Sequence, residues 1–198
     1  MLRKSMFRFS LFQWAMIAVI ALLGLVTGKG ATHLTALTEF TRGLPGGLQW
    51  LAGAHVLWLV VAAGLVRRPG AATVAGCLMG LMEFAAGSQH GLAVLMLAVA
   101  AGLAIDAVWL GQSGLGHLAT VLLSGGVGAG SNVFVQAALM PNSCVCASGS
   151  VLAISGGAAF MSGIIIGGVV GWLILRLLNS FSVLRQPDRA PADAVAVD

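Results

Sequence analysis

LAGAHVLWLVVAAGLVRRPGAATVAGCLMGLMEFAAGSQHG, residues 51–91, decides the fold: two apolar runs flank Arg67-Arg68-Pro69-Gly70, and Glu83 is the one carboxylate in them. Helices apolar on nearly every face belong in lipid or deep inside a protein. A chain of 198 residues that is 59% hydrophobic and 8% charged, with a mean hydropathy of +0.99, lacks the polar shell to bury such runs in a soluble core. The bilayer is its solvent. A hydrocarbon layer of roughly 30 Å takes about 20 residues of helix to cross. Working outward from this pair, the apolar runs fall at 11–28, 48–66, 71–87, 92–110, 118–138 and 151–178. The reading is all-α: a polytopic membrane protein, a six-transmembrane-helix bundle over residues 1–184. Residues 185–198, rich in Ala, Pro and Asp with no apolar face, are expected to form a disordered cytoplasmic tail.

The charges orient the bundle. Arg3, Lys4 and Arg8 precede the first run, Arg67 and Arg68 join the second to the third, and Arg176, Arg185 and Arg189 end or follow the sixth. With alternating spans these eight cations share one side and only Lys29 and Arg42 take the other, so the positive-inside rule places both termini in the cytoplasm, with the chain multi-pass in the inner (plasma) membrane. The net charge of +4 therefore reads as a topology signal; aromatics for stacking on nucleic-acid bases are not interleaved with the cations. The polar stretch from Lys29 to Gly47 reads as an outer loop or short interfacial helix.

Glycine repeats punctuate the spans: Gly24-x-x-x-Gly28, Gly163-x-x-x-Gly167 and Gly167-x-x-x-Gly171. Small residues four apart let helix backbones approach. Ala15, Ala18, Ala21 and Gly24 of the first span are read as a small-residue face offered to a partner membrane subunit. Ser124-Gly-Gly-Val-Gly-Ala-Gly130 lacks the Lys-Ser/Thr of a phosphate loop and lies within a span, which excludes a nucleotide site there. Cys144 and Cys146 make no disulfide framework and no convincing metal site; their role is undetermined.

Polar groups inside hydrocarbon cost on the order of a few kcal/mol each, so their depth is informative. Glu83 lies in the outer half of the third span, with Asn132 and Gln136, four apart on one face of the fifth, at a comparable level. His55 and Trp58 sit near the outer start of the second span, and Gln89 and His90 in the outer turn. Together they describe an outward-opening pocket in which Glu83 pairs with a cationic or amine-bearing ligand, Asn132, Gln136 and Gln89 hydrogen-bond it, and Trp58 or Trp50 stacks on its ring. Asp106, one turn from the inner end of the fourth span beside Trp109, is assigned a coupling or structural role, the alternative being a helix-end acid meeting Arg67 or Arg68. No nucleophile–base pair is present to make the chain an enzyme, and any ATP-driven work falls to another polypeptide.

Three stretches carry a family resemblance: Gly64-Leu-Val-Arg-Arg-Pro-Gly-Ala-Ala72, Leu81-Met-Glu-Phe-Ala-Ala-Gly-Ser88 and Gly102-Leu-Ala-Ile-Asp-Ala-Val-Trp109, with Met161-Ser-Gly163 further on. In order and spacing the chain resembles the YkoE family, the S-components of energy-coupling-factor (ECF) ABC transporters associated with thiamine and its hydroxymethylpyrimidine precursor. The resemblance implies a six-helix subunit that captures a vitamin-like molecule at the extracytoplasmic face. It also implies a transmembrane coupling subunit and ATPase subunits as partners that hydrolyse ATP, with no cofactor bound by this chain. Glu83 matches the family's acid in the third helix and Asp106 its acid in the fourth. The family pattern further carries an acid where this chain has Gly76, an amide where it has Ala101 and a basic residue near Ala159. A stand-alone small-molecule permease or channel, or a structural subunit of a membrane complex, is the alternative that six helices and few charges also allow.

Overall fold

The computed structural model describes residues 9–33 (side chains through 30), 44, 47–88, 91–112, 115–139 and 148–180. Among these the secondary structure is helical: α1 (Leu11–His33), a 3-10 turn at Gly47–Leu51 leading into α2 (Ala52–Val66), α3 (Ala71–Ala85), α4 (Ala93–Leu110), α5 (His117–Leu139) and α6 (Gly149–Ser180). Five of these segments are long and apolar enough to cross a membrane. The 15 residues of α3 rise only about 22 Å, so its flanking turns complete the crossing. The sixfold reading of the sequence is thus the observed architecture, with ends displaced by a few residues. One boundary moves further. Helix α1 continues through Lys29 to His33 instead of yielding to a loop, because Lys29 Nζ donates to the Ala86 carbonyl at the end of α3, 3.0 Å away, and the cation is met without ending the helix.

Helix α2 is the axis of the bundle. It packs against each of the other five helices, while α1, α3, α4, α5 and α6 follow one another around it. Its run Leu59 to Gly64 is fully enclosed, joined in one core by Ile17, Met79, Ile105, Val121 and Leu175 from the surrounding helices. Backbones approach closely where the sequence supplies glycine. A Cβ on Gly163 would lie 2.2 Å from the Gly125 carbonyl oxygen, and one on Gly76 would lie 2.3 Å from that of Ala98. The Gly163–Gly167–Gly171 repeat therefore serves packing within the chain. Gly163–Val170 is wound as a π-helix, and Gly163 and Gly167 meet α5 at Gly125 while Gly171 meets Val60 of α2.

The turn from α2 to α3 is tight, and Gly70, at φ +87°, takes the left-handed conformation it requires. The residues that open α3 provide no side-chain cap, so the first amides of that helix need acceptors from elsewhere. Asp106 on α4 supplies them. Its Oδ1 accepts from Ala72 N at 3.3 Å, and its Oδ2 accepts from Thr73 N at 2.9 Å and Thr73 Oγ1 at 2.6 Å. The carboxylate also sits at the positive end of the α3 dipole.

Candidate functional site

At the end of α3 remote from the Arg67–Arg68 turn, Glu83 is turned into the bundle. Its Oε2 lies 3.7 Å from Nε2 of His55 on α2, an ion pair whenever the imidazole is protonated, and the two side chains are 21% and 25% exposed. Gly28 of α1 closes the third side: a Cβ there would come within 3.4 Å of His55 Nδ1. The Gly24-x-x-x-Gly28 face thus points inward, with Gly24 against Met79 and Trp58. Trp58 is anchored on the same side, its Nε1 donating to Thr27 Oγ1 at 2.7 Å. Its indole donor is therefore engaged, and the side chain packs against the main core.

On the α5 side, Gln136 Oε1 accepts from Gln49 Nε2 at 3.1 Å, which ties α5 to the 3-10 turn before α2. One helical turn inward, the Oδ1 of Asn132 is buried with no hydrogen-bond partner among the described residues. A buried acceptor left unpaired costs about 1–3 kcal/mol, which sets this oxygen apart from the other polar groups at this end of the bundle. Ser162 of α6 receives the Gly53 N–H and donates to the Trp50 carbonyl, so the start of α2 is fixed from a third helix. The sequence pattern alone missed Thr27, Gln49 and Ser162. All three are small or uncharged polar residues in apolar surroundings, and that was the one signal available for them.

Of the residues expected at the outer level, His55 and Glu83 meet, Gln136 is held by Gln49, Asn132 Oδ1 has no partner among the described residues and Trp58 is braced against α1. Gln89, His90, Cys144 and Cys146 lie outside the described residues, as do residues 185–198. Among the described residues no group of three His, Cys, Asp or Glu side chains converges. Asp106 is removed from this level; it caps α3, and its oxygens are occupied by α3 donors instead of by Arg67 or Arg68. The small-residue stripe of α1 is divided: Ala15 and Ala18 are exposed, whereas Ala21 is 1% exposed, inside the core. Residues three apart rotate by about −60° per step around a helix, so a stripe of four at that spacing turns through half a circumference and cannot lie on one face.

Residues 13–131, well over half of the chain, match the family described as ABC-type cobalt transport system, permease component. In three dimensions the chain is similar to a crystal structure of an S-component of an ECF transporter, with a TM-score of 0.76, 22% sequence identity and 89% of each chain covered. That likeness gives the fold: this bundle has the architecture of an ECF S-component. No curated protein matches the sequence.

Proposed function

The chain belongs to the family of ABC-type cobalt transport system permease components, and from that premise we propose that it captures a small cationic or amine-bearing molecule at the extracytoplasmic face for an ECF-type importer. The observation that carries this reading is Glu83: an acid in the outer half of a membrane bundle, directed at His55 and away from lipid. Such a group is expensive to keep in hydrocarbon and marks a ligand or ion path by default. The Asn132 Oδ1 acceptor, without a partner among the described residues, and the Gln49–Gln136 pair add hydrogen-bonding capacity to the same outer half. Coupling and ATPase subunits would do the ATP-driven work, with the arginine-rich end of the bundle in the cytoplasm. In support of that orientation, Arg67 from the α2–α3 turn and Arg176 from α6 line one groove, as alternating spans require.

For the ligand class, thiamine or a hydroxymethylpyrimidine-like precursor is our first reading, on the Glu83 and Asp106 resemblance. The polar set of that family is incomplete here. Gly76 is packed against the Ala98 carbonyl, and Ala101 and Ala159 are fully buried in apolar surroundings, so those three positions hold core packing in place of an acid, an amide and a base. A second reading is a divalent transition-metal cation. The nitrogen–oxygen pair of His55 and Glu83 favours it, as does the cobalt in the family's description.

Calorimetry on the purified protein separates the two, with thiamine and hydroxymethylpyrimidine in one series and Co²⁺ in the other. Glu83→Gln is expected to weaken the organic ligand by about 1.5–3 kcal/mol, the worth of a hydrogen bond to a charged group. Unchanged affinity removes Glu83 from the site. Uptake that proceeds without ATPase partners would identify a stand-alone permease instead.

A further inference from the structure

Helix α1 is held in two different ways along its length. Its first part is anchored by Ile17, Ile20 and Ala21, all inside the core, and by Gly24, which fits between Met79 of α3 and Trp58 of α2. Beyond Gly24 no described side chain of α1 is buried. Polar bonds fasten this last stretch: Thr27 Oγ1 accepts from Trp58 Nε1 of α2 at 2.7 Å, and Lys29 Nζ donates to the Ala86 carbonyl at the end of α3 at 3.0 Å. Between them Gly28 rests on His55, where an added Cβ would lie 3.4 Å from Nδ1. Three consecutive residues thus reach from α2 to α3 alongside the His55–Glu83 pair.

The same stretch is weak as a helix. Glycine stands at 24, 28 and 30, and in a helix interior each is disfavoured relative to alanine. Packing does not require it at Gly30, where an added Cβ would meet nothing within 4 Å. Thr27 Oγ1 also turns back on the Leu23 and Gly24 carbonyls, at 2.9 and 3.2 Å, a pattern that bends helices. Bending is therefore easiest where the core anchorage stops.

We propose that residues 27–29 are a clasp that closes the α1 side of the His55–Glu83 pair and swings about Gly24 to admit the ligand. The inference rests on the reading of Glu83 as the ligand's partner. Because Gly28 has no side chain to interlock with His55, opening breaks the bonds of Thr27 to Trp58 and of Lys29 to Ala86 without drawing any apolar side chain out of the core. Ile17, Ile20 and Ala21 stay in place, so the bundle holds while one turn of α1 moves.

The test is cysteine accessibility in the full-length protein reconstituted in liposomes, with Cys77, Cys144 and Cys146 replaced by Ser and Glu83→Cys as the reporter. A charged, membrane-impermeant methanethiosulfonate is the probe. Glu83→Cys is expected to react slowly in this background. It should react about fivefold faster with Thr27→Val and about tenfold faster with Lys29→Met, the factors by which losing a neutral or a charged hydrogen bond shifts an opening equilibrium. Thr27→Ser, which keeps the hydroxyl acceptor, should restore the slow rate. Val133→Cys, buried where α5 meets α6, reports on the fold as a whole and should stay unreactive in every background. An unchanged Glu83→Cys rate in the double variant of Thr27→Val and Lys29→Met overturns the proposal. A parallel rise at Val133→Cys also overturns it, since the two bonds would then be general supports of the bundle. No ligand enters the measurement, so it fails separately from calorimetry on Glu83→Gln: unchanged affinity there removes the ligand from Glu83, whereas an unchanged labelling rate removes the clasp.

Discussion

Asp106 shows how far one side chain can act from its own helix. Its carboxylate satisfies two α3 amides and the Thr73 hydroxyl, groups that would otherwise be unpaired close to a membrane where water is scarce. Asp106→Ala is expected to lower stability by about 1–3 kcal/mol, the penalty for stranding such donors. This would be read as a lower melting temperature in detergent, with affinity at the outer site unaltered. Asp106→Asn, which keeps one acceptor oxygen, should recover part of the loss. If Asp106→Ala instead melts like the wild type while transport in the assembled complex fails, the residue couples and does not cap. Glu83 is the complementary case. It holds no structural cap, so its replacement should act on ligand affinity and leave the melting temperature largely as it was.

Among the helices, contact is written in glycine, and the glycines are not equivalent. Gly125 and Gly163 face each other backbone to backbone, with an added Cβ on either falling 2.2–2.3 Å from the other's carbonyl oxygen. Peptide groups cannot rotate aside like a long side chain. Gly125→Ala or Gly163→Ala must therefore push α5 and α6 apart, at a cost of about 1–3 kcal/mol or more. Gly156→Ala and Gly157→Ala, two turns earlier on α6 with nothing within 4 Å, should melt like the wild type or slightly above it. Parallel melting curves of the four variants check the contrast. The spans themselves were legible in the sequence, because apolar runs cut by Arg67-Arg68-Pro69-Gly70 and similar breaks are set by the local chain and the bilayer. The inward depth of Glu83 and its level with His55 followed from the same counting. Partnerships across helices were not legible: Thr27 with Trp58, Gln49 with Gln136 and Asp106 with Thr73 depend on the rotation of each helix about its own axis. In α1, where apolar residues surround the whole circumference, no periodicity reports that rotation.

At the scale of the whole molecule, helix α1 is the least enclosed of the long spans, packing on α2 and α3 and leaving its remaining circumference to the membrane or to another subunit. The exposed arc contains Ala15 and Ala18 beside Leu11, Val19, Leu22 and Val26, a mixture of small and large side chains into which a second helix can fit. If a coupling subunit docks on this arc, position 18 lies in the contact and position 21, in the core with Ile17 and Ile20, lies behind it. Ala18→Cys, co-expressed with a coupling subunit carrying single cysteines along its membrane helices, is expected to give a disulfide adduct under mild oxidation, whereas Ala21→Cys gives none. The pair controls for expression and oxidant access, because both thiols sit on one helix within a single turn. An adduct at 21 but not at 18 would mean that α1 turns about its axis on assembly. Absence at both, with adducts appearing instead from the exposed face of α4 at Met96 or Leu103, would transfer the docking surface to the other side of the bundle.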